Sequence, residues 1–130
     1  MKKTTIFMAV LVILCAASIA VAAENISGIW VQPNPMSGVA NEHFLLAQSG
    51  NKTTSVTYFE FNGAPFVYYG FGTVNGNTLE YSYKYSKNPT PKVTTNGKFV
   101  MTISDDGKTL TGKWYDDYGN SGNCTYVKQK

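Results

Sequence analysis

The sequence predicts an all-β fold: eight antiparallel strands in an up-and-down meander that closes into a barrel. Three observations carry this expectation. From Glu24 onward no stretch has a helical period. β-branched and aromatic runs are broken instead by Gly-Asn, Asn-Gly and Asp-Gly, the dipeptides of tight hairpins. In the clearest run Leu79, Tyr81, Tyr83 and Tyr85 alternate with Glu80, Ser82 and Lys84, the period-two pattern of a sheet with one apolar face.

The strands follow a leader. Lys2-Lys3 precede an apolar run from Ile6 to Ala17 and small residues through Ala23, the order of a secretory signal peptide. Cleavage after Ala22 or Ala23 divides the chain into a signal segment, 1–23, and a single domain, 24–130. No charged stop-transfer flank follows, so no membrane attachment is expected after cleavage. The destination is periplasmic or secreted. The domain keeps 9 lysines against 8 acids, a formal charge of +1. With no arginine and so little charge, it has no electrostatic footprint for nucleic acid. Of the two cysteines Cys15 falls in the leader, so the domain's one cysteine, Cys124, excludes an internal disulfide framework. In an oxidising compartment that thiol is either buried or used between chains.

Strands are expected near 26–32, 43–49, 52–61, 64–74, 77–86, 97–104, 109–116 and 122–128. The first holds Ile29, Trp30 and Val31, and the irregular stretch Pro33 to Asn41 joins it to the second. Gly50-Asn51, Asn62-Gly63 and Asn75-Gly76 read as two-residue turns between the second, third, fourth and fifth strands. The one long connection, Lys87 to Asn96, holds Pro89 and Pro91 and leads to the sixth strand. Asp105-Asp106-Gly107-Lys108 turns into the seventh, and the loop Asp116 to Asn120 into the eighth.

Side chains alternate faces along a strand, and a tight hairpin fixes register, so these turns specify pairs. Phe44 should oppose Thr57, Leu46 Ser55, and Gln48 Thr53. Phe59 should oppose Phe66, and Thr57 Tyr68. Tyr68 should then oppose Tyr83, Phe66 Tyr85, Gly70 Tyr81, and Gly72 Leu79. Beyond the long connection, Ile103 meets Leu110, Met101 Gly112, and Phe99 Trp114. All fall on one face, the apolar one. A domain of this length has no residues left for a layer to cover that face. Closing the sheet on itself buries the face and removes both edges.

Gly28-Ile29-Trp30, on the first strand just after the leader, resembles the Gly-x-Trp signature of lipocalins and avidins, the calycin-type barrels, and Gly112-Lys113-Trp114 repeats it on a late strand. The resemblance implies a barrel whose closed end is plugged by Trp30 while ligand enters at the other. Lipocalins are longer and usually end in a helix and an arginine that packs on the tryptophan. This chain has neither.

No enzyme is expected. The single histidine, His43, is placed outward beside Tyr58 and Lys84, with neither carboxylate nor nucleophile at hand. Metal ligands lack paired spacing, Asp105-Asp106 and Asp116-Asp117 read as turn chemistry, and no metal or cofactor is expected. The interior is unusual in carrying tyrosines at 68, 81, 83, 85 and 126. A buried phenol without a partner costs about 1–3 kcal/mol. Five would match the stability of a whole domain, so these hydroxyls must meet something. Thr57, in register with Tyr68 and Tyr83, and Ser55, near Tyr81, can satisfy some of them. The rest point to water, a barrel mouth or a bound molecule, unless Tyr81 simply fills the space over Gly70 in a solid barrel. The expected function is an exported binding protein for a small apolar or aromatic ligand, held by Tyr68, Tyr81, Tyr83, Tyr85, Thr57, Trp30 and Trp114. The alternative is a protein-binding module, inhibitor-like or self-associating. It would act through an outer patch of Leu45, Val56, Tyr58, Val67, Tyr69 and Phe71.

Overall fold

Hairpins dominate because nearly every connection is too short for anything else. The computed structural model describes residues 24–86 and 96–130. The expected signal segment, 1–23, and most of the proline-bearing connection, residues 87–95, lie outside the described residues. The strands are β1 (Gly28–Val31), β2 (Val39–Ser49), β3 (Lys52–Phe61), β4 (Ala64–Asn75), β5 (Thr78–Tyr85), β6 (Asn96–Ile103), β7 (Thr109–Asp116) and β8 (Ser121–Lys128). Each pairs antiparallel with the next, and β8 returns to β1, so the sheet is a closed barrel in chain order. Among the described residues there is no helix. The architecture fits a calycin-like barrel.

The expected inside–outside assignment holds around the barrel. Trp30, Phe44, Thr57, Tyr68, Leu79, Tyr81, Phe99, Met101, Leu110, Cys124 and Tyr126 are all buried. Phe44 opposes Thr57, Thr57 opposes Tyr68, and Phe99 opposes Trp114, as the turns require. The seam is short: Trp30 faces Lys128 and Val31 faces Val127. Gln129 N donating to Ile29 O at 2.8 Å extends it.

Three expectations are corrected. The first is the β4–β5 register, which is slipped by two residues. Tyr68 opposes Tyr85, Gly70 Tyr83, Gly72 Tyr81, and Val74 Leu79. The loop is Gly76-Asn77 instead of Asn75-Gly76. Gly76 leads it with φ 58°, the left-handed conformation that a type II′ turn needs at its first central residue. The slip preserves every face. It pairs inward Val74 with Leu79, where the expected register would have set an inward Asn77 against Val74. On the outside, Lys84 moves beside Tyr69 and Ser82 beside Phe71. His43 faces Tyr58 but is no longer in line with Lys84.

The second correction concerns β2, which begins at Val39, inside the stretch expected to be irregular. The alternation is masked there by a bulge between Ala40 and His43, in which Asn41 adopts φ 52°. Asparagine tolerates that conformation better than other non-glycine residues. The extra residue lets both Val39 and Glu42 point inward. The third correction is small: Asn96 starts β6 and is not part of the connection before it.

The two ends of the barrel differ. At one end lie the β2–β3, β4–β5 and β6–β7 turns. Ile26, ahead of β1, is fully buried there, and its carbonyl accepts the indole N–H of Trp30 at 3.0 Å. Ile26 N in turn donates to Gln48 Oε1, and Gln48 N to Ser27 Oγ, at 3.0 and 2.8 Å. Trp30 therefore seals this end. At the other end residues 32–38 cross toward the β3–β4 turn, where Asn62 N donates to Gly38 O. That end is open.

Candidate functional site

The lower interior is solid. The Tyr81 ring lies parallel to Phe99, with centroids 4.8 Å apart, and is also stacked on Phe44 at 5.5 Å. Its space is made by glycine. A Cβ on Gly70 would come within 2.9 Å of the Tyr81 ring, and one on Gly72 would fall 2.8 Å from Tyr81 Cα. This part of the barrel is the filled arrangement in which tyrosine occupies the volume that glycines leave.

Above this stack a cavity of about 250 Å³ opens at the unsealed end. Its walls are aromatic: Phe59 and Phe61 from β3, Tyr68 from β4, Tyr83 and Tyr85 from β5, Phe99 from β6, Trp114 from β7 and Tyr126 from β8. These rings brace one another edge-on and tilted. Tyr68 lies 5.1 Å from Tyr83 and 5.3 Å from Tyr85, and Tyr83 lies 5.1 Å from Phe99, separations in the favourable range for aromatic pairs. Met36 and Val39 add apolar surface from the β1–β2 side. Asp116, Asn120 and Asn123 form a polar rim. Asp116 is held in place by the loop it starts: its Oδ1 accepts Tyr118 N at 3.0 Å and Asn120 N at 2.8 Å.

One polar group sits within the aromatic wall. Glu42 enters from the β2 bulge, and its Oε1 accepts the Tyr126 hydroxyl at 2.8 Å while its Oε2 accepts Gln32 Nε2 at 2.7 Å. Gln32 Nε2 also reaches the Tyr126 oxygen at 3.3 Å. Burial pushes the Glu42 carboxyl above its ordinary value, and the two donors pull it partly back. An acid raised in this way favours the folded state below its ordinary value of 4.5, and that contribution is lost as pH rises through the folded-state value. Burial, and then the nearby Glu42 charge, also push the Cys124 thiol up to about 12, so this cavity-lining cysteine stays protonated.

The structure brings four of the expected ligand-binding residues together. Tyr68, Tyr83, Tyr85 and Trp114 share the cavity wall. The other three do not line it: Tyr81 and Thr57 are buried outside the wall, and Trp30 plugs the opposite end. Of the expected pairings of phenols with small hydroxyls, Thr57 comes near enough to Tyr68 to pull its raised pKa partly back, short of full hydrogen-bond geometry. Thr53 Oγ1, Ser55 Oγ, Thr57 Oγ1 and the Tyr81 hydroxyl find no hydrogen-bond partner in the protein. Tyr68 lies near enough to Tyr81 to raise its pKa further, yet the two hydroxyls fall short of hydrogen-bond geometry. Tyr83 donates to the Tyr115 carbonyl at 3.3 Å, and Tyr126 is satisfied by Glu42.

Glu42 is the residue that sequence reasoning missed. Its signal was present: with Phe44, Leu46 and Gln48 inward, one more step back along the same parity reaches Glu42. His43 lies exposed on the outer face, opposite Tyr58. Among the described residues no three His, Cys, Asp or Glu side chains converge on a metal-sized site.

The outer face carries a row across four strands, Ile29–Leu45–Val56–Tyr69, every member exposed. Phe71, 65% exposed, stands beside it. Of the remaining expected patch residues, Tyr58 and Val67 are paired and half-buried, and the Tyr58 hydroxyl donates to Glu60 Oε1 at 3.1 Å. No protein-family model and no curated protein sequence matches the chain.

Proposed function

We propose that this chain is an exported binding protein, similar in kind to the lipocalins and avidins, that holds a small apolar or aromatic molecule in its open end. The observation that carries the reading is the cavity of about 250 Å³, walled by aromatic rings and set opposite the Trp30-sealed end. Small-molecule sites are concave and mostly apolar, with a few placed polar groups, and this one has that composition in a volume just below the roughly 300 Å³ at which drug-sized pockets begin, which suits a small ligand. Export rests on the leader sequence. On this reading the chain is a binder and not an enzyme, because its polar side chains are arranged to hold one carboxylate and not to pair a nucleophile with a base. The test is a panel of ring-bearing apolar compounds followed by tryptophan emission and thermal melting. Trp114 lines the cavity, so a bound ring should perturb emission and raise the melting temperature. No response across the panel, and nothing found by native mass spectrometry in protein taken from the exporting cell, would overturn the proposal.

A second reading rests on the outer row. Leu45, Val56, Tyr69 and Phe71, joined by Ile29, make a continuous apolar strip of the sort that partners cover. Residues 33–38 do not supply that cover, since they are themselves exposed and bond at the barrel mouth. We propose self-association through this face, which light scattering should detect as a dimer that Phe71→Lys dissociates. A chain that stays monomeric at high concentration rules the second reading out.

A further inference from the structure

We propose that the ligand is an organic cation, an ammonium group carried on a small apolar or aromatic body, with its charge received by Glu42. This rests on the reading of the barrel as a small-molecule binder and specifies what that binder selects.

The charge balance of the cavity comes first. Among the described residues its lining contains two carboxylates, Glu42 and Asp116, and no lysine or histidine. The chain has no arginine. Glu42 is held by neutral donors alone, the Tyr126 hydroxyl and the Gln32 amide, and no described lysine pairs with it. A largely buried carboxylate without a counter-charge is costly, and a cation brought by the ligand offsets that cost.

Geometry comes second. Each carboxylate oxygen has two lone-pair directions. Tyr126 and Gln32 take one on each oxygen, which leaves others free to accept a further N–H donor or to face a quaternary ammonium. The two existing bonds fix the carboxylate, so it is already oriented for a ligand. The walls come third. Tyr68, Tyr83, Tyr85 and Trp114 present π faces and edges, and the faces attract cations as well as apolar surface. An anionic ligand would meet two like charges, and a neutral one would leave Glu42 uncompensated. The volume of about 250 Å³ equals roughly eight waters at liquid density, room for one ring and a short ammonium arm.

Burial raises the Glu42 carboxyl, and the same physics gives a second signature: a cation seated beside it favours the ionised form, so binding near that raised value releases protons.

The test uses three probes with the same ring: phenethylammonium, 2-phenylethanol and phenylacetate. They are titrated by calorimetry into the full mature chain. Phenethylammonium should bind at least about tenfold more tightly than the alcohol, and phenylacetate most weakly. Glu42→Gln, which keeps the shape and the hydrogen-bonding capacity, should remove the gap between cation and alcohol. If the alcohol or the acid binds the wild-type chain as tightly as the cation, the cation inference fails while the binding barrel stands. If the Gln variant keeps the gap, Glu42 is not the receptor and the inference fails. If none of the three binds and the wider panel is also silent, the binder reading falls with it. The three-probe comparison needs no variant, so a poorly folding Gln substitution leaves it decisive.

Discussion

Above about pH 10 the barrel should unfold in one cooperative step, driven by its interior tyrosines. Burial raises Tyr68, Tyr81 and Tyr126 well above their ordinary value of 10, with smaller contributions from Glu42 and from neighbouring phenols. Burial likewise raises Tyr83, with help from Tyr85 and Asp116, and pushes Tyr85 up to about 12, with help from Glu42 and Asp116. In the folded state these phenols keep protons that the unfolded chain releases near pH 10. Their stabilising effect is therefore intact below pH 10 and falls as pH rises toward the folded-state values. Each such tyrosine costs the fold about 1.4 kcal/mol per pH unit above 10. The three fully buried ones, Tyr68, Tyr81 and Tyr126, together remove on the order of 4 kcal/mol by pH 11, and the cavity-facing Tyr83 and Tyr85, partly reached by solvent, add a smaller share, a large part of the stability of a small domain. Far-ultraviolet dichroism and phenolate absorbance should change together, with several tyrosines ionising as the β signal is lost. Phenolates forming gradually while the barrel signal persists would show that these side chains are reached by water and that the interior assignment is wrong.

The second large effect is expected at the sealed end. Trp30 is fully buried and binds the Ile26 carbonyl through its indole N–H. Trp30→Ala removes the largest fully buried side chain and leaves a buried carbonyl without its donor. A loss of about 3–5 kcal/mol is expected, measured by urea denaturation. Trp30→Phe keeps most of the ring and loses the hydrogen bond, so its loss should be smaller. Trp114 remains in both variants as a fluorescent reporter. The Ala variant should still fold at low temperature only if the rest of the barrel supplies more than this loss. A change under about 1 kcal/mol would mean that the plug contributes no more than an ordinary surface residue.

The strands and their faces were legible because a hairpin of known length transmits parity without error. Whether a turn holds two residues or four, the faces on either side stay the same. That is why the alternation of Leu79, Tyr81, Tyr83 and Tyr85 fixed the inside for strands far from it. The same insensitivity hid the two-residue slip between β4 and β5. Both candidate turns contain Gly76 and both keep parity, and only the cross-strand pairing of Val74 with Leu79 separates them. The candidate site was legible in part. Tyr68, Tyr83, Tyr85 and Trp114 followed from parity alone. Glu42 obeys the same parity but was missed, because the strand was expected to begin at residue 43 and a carboxylate at the next inward position reads as the end of the apolar pattern.

By itself, then, the sequence determined which side chains point inward, because the two-residue period of a strand and the short turns between strands are local properties. Only the tertiary structure decided where along the barrel axis each inward side chain sits. Height depends on register, on the bulge and on the seam between β1 and β8, and these are set by packing between residues far apart in the chain. Height separates Tyr81, stacked into a solid floor, from Tyr83 and Tyr85, which face open space, and it sets a lone carboxylate among their rings.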